Sequence, residues 1–339
     1  MSDIVQIRQS FFPPTPSAYI WLLWVFHWFP AGSIGQWFSD HHPVGKFSVS
    51  RRSNINGRFG WLFMEIIGPV NMLYVMWKLE PSILGLPLWN KVTAALYVIH
   101  YVNRAVLQPL FIAPSMSPIG MEIFLVVSTF NWMNGAIFGC WVVGYDTKIA
   151  GYNVRISGSE PLSGWRKAIP YAGLIIFAFG CVNNIRAQLT LWRMRREEAH
   201  RRVTKDKKKH AQQENIYSKV YVIPPPRGLF TSHLYPHYWY EWIEWFGYTL
   251  VGTAVLSSIA FASRPVTTQE LMVAPWHWPL AQLAEKYQIP FPLPALAFLL
   301  NCMAAMLPQA RRGLRWYKQT FGNEAVVGRS AIVPGVSFL

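Results

Sequence analysis

Seven stretches of this chain are long and apolar enough to approach the roughly 20 residues a helix needs to cross a bilayer. They fall near 17–36, 58–79, 86–112, 119–145, 165–192, 238–263 and 290–309. In lipid each backbone N–H and C=O must be satisfied inside the protein, and segments of this length achieve that as helices. The sequence therefore predicts an all-α integral membrane protein, one polytopic domain of about seven transmembrane helices. The first stretch is interrupted by Pro30 and Gly32, and the last contains Asn301 and ends near Pro308.

Composition agrees with that class. Of 339 residues, 52% are hydrophobic and only 14% charged, unlike an ordinary soluble chain. Seventeen Trp and fifteen Tyr suit interfacial belts, where an amphipathic ring sits at headgroup depth. A formal charge of +15 raises the question of nucleic acid, but the basic residues cluster in a few loops and no recognition motif accompanies them. No nucleic-acid partner is expected.

Those loops set the orientation. The stretch Arg193–Lys209 holds nine Lys/Arg against three acids, the first loop has Lys46, Arg51 and Arg52, and the tail has Arg311, Arg312, Arg315, Lys318 and Arg329. With seven spans all three fall on one side, which the positive-inside rule makes cytoplasmic. The C-terminus is then cytosolic and the N-terminus lumenal. The N-terminus lacks the pattern of a cleaved signal peptide, so the first span is expected to act as an uncleaved anchor. The charged segment 196–215 reads as a mobile, solvated insert. The 264–289 loop is expected to carry a short interfacial helix near 278–287. Cys140, Cys181 and Cys302 lie in apolar segments without metal-ligand spacing and read as free thiols. Asp40-His41-His42 resembles a metal fragment, but no second ligand cluster supports it and a polar turn is the expectation.

Ionisable groups within spans are costly and must face protein, water or a ligand. His237, Glu241, Glu244 and Tyr248 follow i, i+4, i+7 and i+11 spacing and so share one helical stripe. Tyr97, Tyr101, Arg104 and Gln108 form a second stripe, and Asn184, Gln188 and Arg195 a third. Asn131, Asn134 and Glu65 add polar groups to two further spans. Any one of them can serve as interhelical glue. Together they read as the wall of a polar cavity between helices. Arginines at helix ends suit either phosphate, which guanidinium pairs bidentately, or anionic lipid headgroups. Glu65, among Trp, Leu, Phe and Met, is expected to be partly protonated. A neutral carboxyl with the Tyr101 phenol can donate two hydrogen bonds to one carbonyl oxygen; a neutral Glu bonded to an adjacent helix is the other reading.

The chain resembles the steroid 5α-reductase family of integral membrane enzymes. The resemblance rests first on Tyr221, Ile223-Pro224, Gly228-Leu229-Phe230, Glu241 and Glu244-Trp245-Phe246-Gly247-Tyr248. Arg315, Tyr317, Phe321 and Pro334 match at the tail, Gly180, Asn184, Ile185 and Arg195 in the fifth span, and His100, Tyr101, Arg104, Trp61 and Glu65 nearer the N-terminus. The resemblance implies NADPH-dependent reduction of an enone carbon–carbon double bond, with Glu65 and Tyr101 holding the substrate carbonyl. It implies that Asn134, Asn184, Arg195, His237, Glu241, Arg315 and Tyr317 line the NADPH pocket, and that Pro224–Pro226 stiffen a loop over the cofactor. Residues 57–145 would form the substrate and catalytic half and 165–339 the NADPH-binding half, with cofactor and substrate in one cavity. A monomer in the endoplasmic reticulum membrane, acting on a hydrophobic small molecule, is the expectation.

Several positions depart from the steroid-reducing pattern. Met64 stands where a glutamine commonly precedes the acid, Asn103 replaces a histidine, Gln188 replaces an acid, and His237 an asparagine. They leave a sterol-like, terpenoid, polyprenoid or fatty enoyl substrate open. The rival class is the isoprenylcysteine carboxyl methyltransferases, whose C-terminal halves look related; Glu65, Tyr101 and the span count favour the reductase.

Overall fold

The computed structural model describes residues 10–39, 45–49, 51–80, 82–154, 162–205, 215–257 and 270–336. Asp40-His41-His42, the part of the charged insert at 206–214 and the end of the sixth expected span at 258–263 lie outside the described residues. So does the first part of the 264–289 loop, through 269.

Helices dominate, in the order α1 (Pro16–His27), α2 (Gly57–Leu79), α3 (Leu88–Tyr101), α4 (Met121–Val142), α5 (Ile169–Lys205), α6 (Pro236–Gly252), α7 (Trp278–Lys286) and α8 (Leu293–Phe321). The only strands among the described residues are two-residue pieces, Lys148–Ile149 and Glu270–Leu271, paired in parallel. The short helix expected near 278–287 is present as α7.

Among the described residues, four helices satisfy both the length and the composition of a membrane span: α2, α4, α5 with the turn preceding it, and α8. The other three expected spans are helical but shorter or interrupted. The first is a 12-residue helix followed by two short helical turns, Phe29–Ser33 and Gly35–Phe38. The break follows from Pro30, which cannot continue the ladder of the preceding turn. The third stops being α-helical at Tyr101 and continues as an 11-residue π-helix, Val102–Ile112. The sixth is the 17-residue α6.

The charged segment corrects one expectation. Residues 196–205 are a continuation of α5 rather than a loose insert. Arg193–Glu197 at 3.7 Å and the contacts of Arg201 and Arg202 with Glu198 at 2.6 and 2.8 Å support the exposed turns at i,i+3 and i,i+4 spacing.

Two close helix pairs frame the interior. Gly135 and Gly139, four apart on α4, let its backbone meet α2 at Gly68, Met72 and Val75; a Cβ at Gly135 would collide with the Gly68 carbonyl. On the other side Gly180 of α5 lies against the Glu244 backbone, and Gly247 of α6 against Phe177. These contacts hold the helices that carry Glu65, Asn131, Asn184 and Glu241 close enough for side chains to bridge them.

Candidate active site

Inside the bundle a continuous hydrogen-bond network joins six helical elements. Arg104, in the first turn of the π-helix, is its hub. The guanidinium donates from Nε to Glu65 Oε1 at 3.0 Å and from one terminal nitrogen to both oxygens of Glu241 at 3.2 Å. The Trp61 ring lies 5.3 Å from the guanidinium carbon, and the Trp61 indole donates to the Arg104 carbonyl at 3.2 Å. Glu65 and Glu241 are each 3% exposed and Arg104 is half-buried, so water screens these pairs less than surface pairs.

Each acid has a second partner. Glu65 Oε2 accepts from Asn131 Nδ2 at 3.3 Å, and Glu241 Oε2 accepts from Asn184 Nδ2 at 3.3 Å. Asn184 also donates to the His237 carbonyl at 3.1 Å and accepts from Gln188 at 2.7 Å. Tyr101 donates its phenol proton to Asn131 Oδ1 at 3.0 Å. The Glu65 carboxyl thus bridges α2 to the π-helix and to α4. Both its oxygens accept, one from Arg104 and one from Asn131.

A second Asn–Tyr pair lies one turn away. Asn134, three residues after Asn131 on α4, donates to the Tyr97 hydroxyl at 2.8 Å, and the Tyr97 and Tyr101 rings lie 4.6 Å apart, tilted by 43°. The pairs 131–101 and 134–97 run in opposite directions because α3 and α4 are antiparallel neighbours. Beside them His100 Nδ1 meets Glu244 Oε1 at 2.9 Å, both side chains buried.

Of the residues expected at the site, Glu65, Tyr101, Asn184 and Glu241 thus join one network. His237 enters it through its backbone, and Asn134 flanks it. Arg195 lies apart, holding the 215–221 segment by bonds to the Val220 carbonyl at 2.9 Å, the Tyr217 carbonyl at 3.4 Å and Ser115 Oγ at 3.3 Å. Arg315 is exposed on α8. Tyr317 is buried in an aromatic cluster that reaches the site through Tyr235, 6.1 Å from Tyr317 and 5.7 Å from His237. Arg104 and Asn131 were expected on the cavity wall but not among the catalytic or cofactor-binding residues. Arg104 stood in the matched HYVNR segment, and Asn131 carried no signal beyond its polarity.

Lys46 is a further member of the Tyr317 cluster. Its Nζ donates to the Tyr235 hydroxyl at 2.7 Å and to the Gly313 carbonyl at 3.5 Å. The rings of Tyr317 and Trp316 lie 4.2 and 4.5 Å from it. Burial pushes the Lys46 ammonium down to about 7, and the surrounding rings and oxygens hold it in place. A folded value this far below the unfolded one means the folded state gains stability as pH rises through about 7 toward the unfolded range. Pulse labelling with an amine reagent, read by mass spectrometry, should show Lys46 becoming reactive as pH passes about 7. Tyr235→Phe, which removes an acceptor for the ammonium, should move that onset to lower pH.

The sequence matches the family described as 3-oxo-5-alpha-steroid 4-dehydrogenase over residues 117–288, just over half of the chain. The chain belongs to this family. The matched region contains Asn131, Asn134, Asn184, Arg195, His237 and Glu241, while Glu65 and Tyr101 lie upstream of it. The chain is 27% identical over 310 residues to an uncharacterized protein of Schizosaccharomyces pombe, covering 87% of this chain and 90% of that protein. It is 25% identical over 286 residues to steroid 5-alpha-reductase DET2 of Gossypium hirsutum, covering 83% and 82%. The corresponding match to DET2 of Arabidopsis thaliana is 25% over 245 residues, covering 71% and 67%. Membership carries the coarse class, a membrane oxidoreductase acting on CH–CH groups.

Proposed function

We propose that this protein reduces an enone carbon–carbon double bond in a steroid-like or other lipid substrate, using NADPH. The observation that supports it most directly is the meeting of an acid and a phenol on one asparagine, inside an apolar bundle of this family. Such a pair can bind one carbonyl oxygen where little water competes.

The residues present fit the cofactor. Arg195 bonds neutral oxygens, so its charge stays available to a phosphate. Asn134 Oδ1 and His237 Nδ1 are buried without hydrogen-bond partners and are free to meet a carboxamide. Asn184 and Glu241 would orient the ring end, while Arg315 and Tyr317 lie on α8 beside the aromatic cluster. When bound, NADPH supplies hydride to the β-carbon of the enone.

The chain's own residues handle the opposite end of the enone. Tyr101 turns its proton from Asn131 to the substrate carbonyl oxygen. Glu65, in its acid form with a proton drawn from solvent, donates to the same oxygen and keeps that proton, while Arg104 stays paired with Glu241. The two hydrogen bonds strengthen as negative charge develops on that oxygen, which lowers the barrier rather than only tightening binding. The α-carbon then receives a proton, with water as donor. A multi-pass location in the endoplasmic reticulum with a cytosolic C-terminus and seven spans belongs to the same reading, as does a monomeric state.

Membranes carrying the protein should oxidise NADPH when a 3-oxo-4-ene steroid or related enone is added, and should bind NADPH without it. Binding of S-adenosylmethionine in place of NADPH would transfer the protein to the methyltransferase class.

A further inference from the structure

Asn131 occupies an unusual place between the two groups proposed to hold the carbonyl. It is 2% exposed and sits on α4, facing α2 and α3. Its amide nitrogen is 2.8 Å from the Met64 carbonyl and 3.3 Å from Glu65 Oε2. Both neighbours are acceptors, so only the NH2 end satisfies them and the amide cannot be flipped. Oδ1 must therefore face Tyr101, whose hydroxyl is 3.0 Å away. Nothing in interhelical packing alone requires one side chain to touch both groups.

The local backbone reinforces this role. Pro69 has no N–H to give the Glu65 carbonyl four residues earlier, so α2 is weakened where Glu65 leaves it. The bond from Asn131 to the adjacent Met64 carbonyl ties that turn to α4, and its second bond aims the Glu65 side chain.

We propose that Asn131 is a positioning residue for the carbonyl site. Its Oδ1 holds the Tyr101 proton until a substrate carbonyl oxygen takes over that bond, and its NH2 keeps Glu65 directed at the same point. This rests on the carbonyl-holding reading of Glu65 and Tyr101. It adds a direct consequence: the substrate carbonyl competes with Asn131 for one proton, so Asn131 weakens ground-state binding while it organises the transition state.

Two nearly isosteric variants separate these effects. Asn131→Leu removes the competing acceptor and the donor to Glu65. It should lower kcat about tenfold or more while KM for the enone stays level or falls. Asn131→Asp keeps an acceptor for Tyr101 but loses the donor, so kcat should fall with KM near that of the unaltered enzyme. NADPH quenching of tryptophan fluorescence, measured on the same detergent-extracted proteins, reports whether the fold is kept.

Unchanged kcat in both variants overturns the proposal. So does a joint rise in KM and loss of NADPH binding, which marks a structural role only. In either case inactive Glu65→Gln leaves the reductase reading standing, whereas fully active Glu65→Gln and Tyr101→Phe remove that reading itself.

Discussion

Replacing Glu65 with glutamine is expected to lower enone-dependent NADPH oxidation by about 100- to 1,000-fold, the range for losing one preorganised group at a developing oxyanion. Glutamine keeps the length of the side chain and can still accept from Arg104 or Asn131. It cannot alternate between a carboxylate paired with Arg104 and an acid donating to substrate. Tyr101→Phe should cost a similar factor, because the phenol proton has Asn131 Oδ1 as its resting partner and nothing else in the variant supplies it. If both groups act on one oxygen, the double variant should be little worse than either single one. Initial rates at saturating NADPH, with cofactor binding measured separately, check all three. Full activity in both single variants would sink the catalytic reading.

The second large effect concerns stability. Arg104→Met should destabilise the protein by about 3–5 kcal/mol, the usual result of removing one partner from a buried ion pair. Arg104 serves Glu65 at 3.0 Å and Glu241 at 3.2 Å, so its loss strands two carboxylates in an apolar interior. The measure is the apparent melting temperature in detergent. Because the damage comes from uncompensated charge, adding Glu241→Gln to Arg104→Met should restore part of the lost stability. Failure of the second substitution to recover anything would show that Arg104 contributes packing against Trp61 rather than charge.

The parts legible in the sequence were those governed by local chemistry. Apolar runs at 58–79, 119–145, 165–192 and 290–309 correspond to the four helices that satisfy span length and composition. Glu65, Tyr101, Asn184 and Glu241 could be picked out because polar groups are rare in such runs. Their joining was not legible. The stripe through Tyr97, Tyr101, Arg104 and Gln108 assumed 3.6 residues per turn, but the chain changes to π winding at Val102, which alters where Arg104 and Gln108 point. Asn131 bonds partners on α2 and α3 from α4, a juxtaposition that no spacing within one helix encodes. At the charged end of α5 the solvent exposure was legible but the helical continuation through 205 was not; acids at i,i+3 and i,i+4 from arginines support it.

The length of α5 has its own consequence. Its 37 residues span about 55 Å at 1.5 Å each. A hydrocarbon core is about 30 Å thick, so even a tilted α5 stands well out into water. On the proposed reading, one reactant dissolves in the leaflet and the other in the cytosol. On that reading, the part of α5 beyond the hydrocarbon would give the soluble reactant a landing line down to the boundary between the two phases. The lipid-borne reactant needs no such guide, since diffusion within the leaflet already confines it to the right depth.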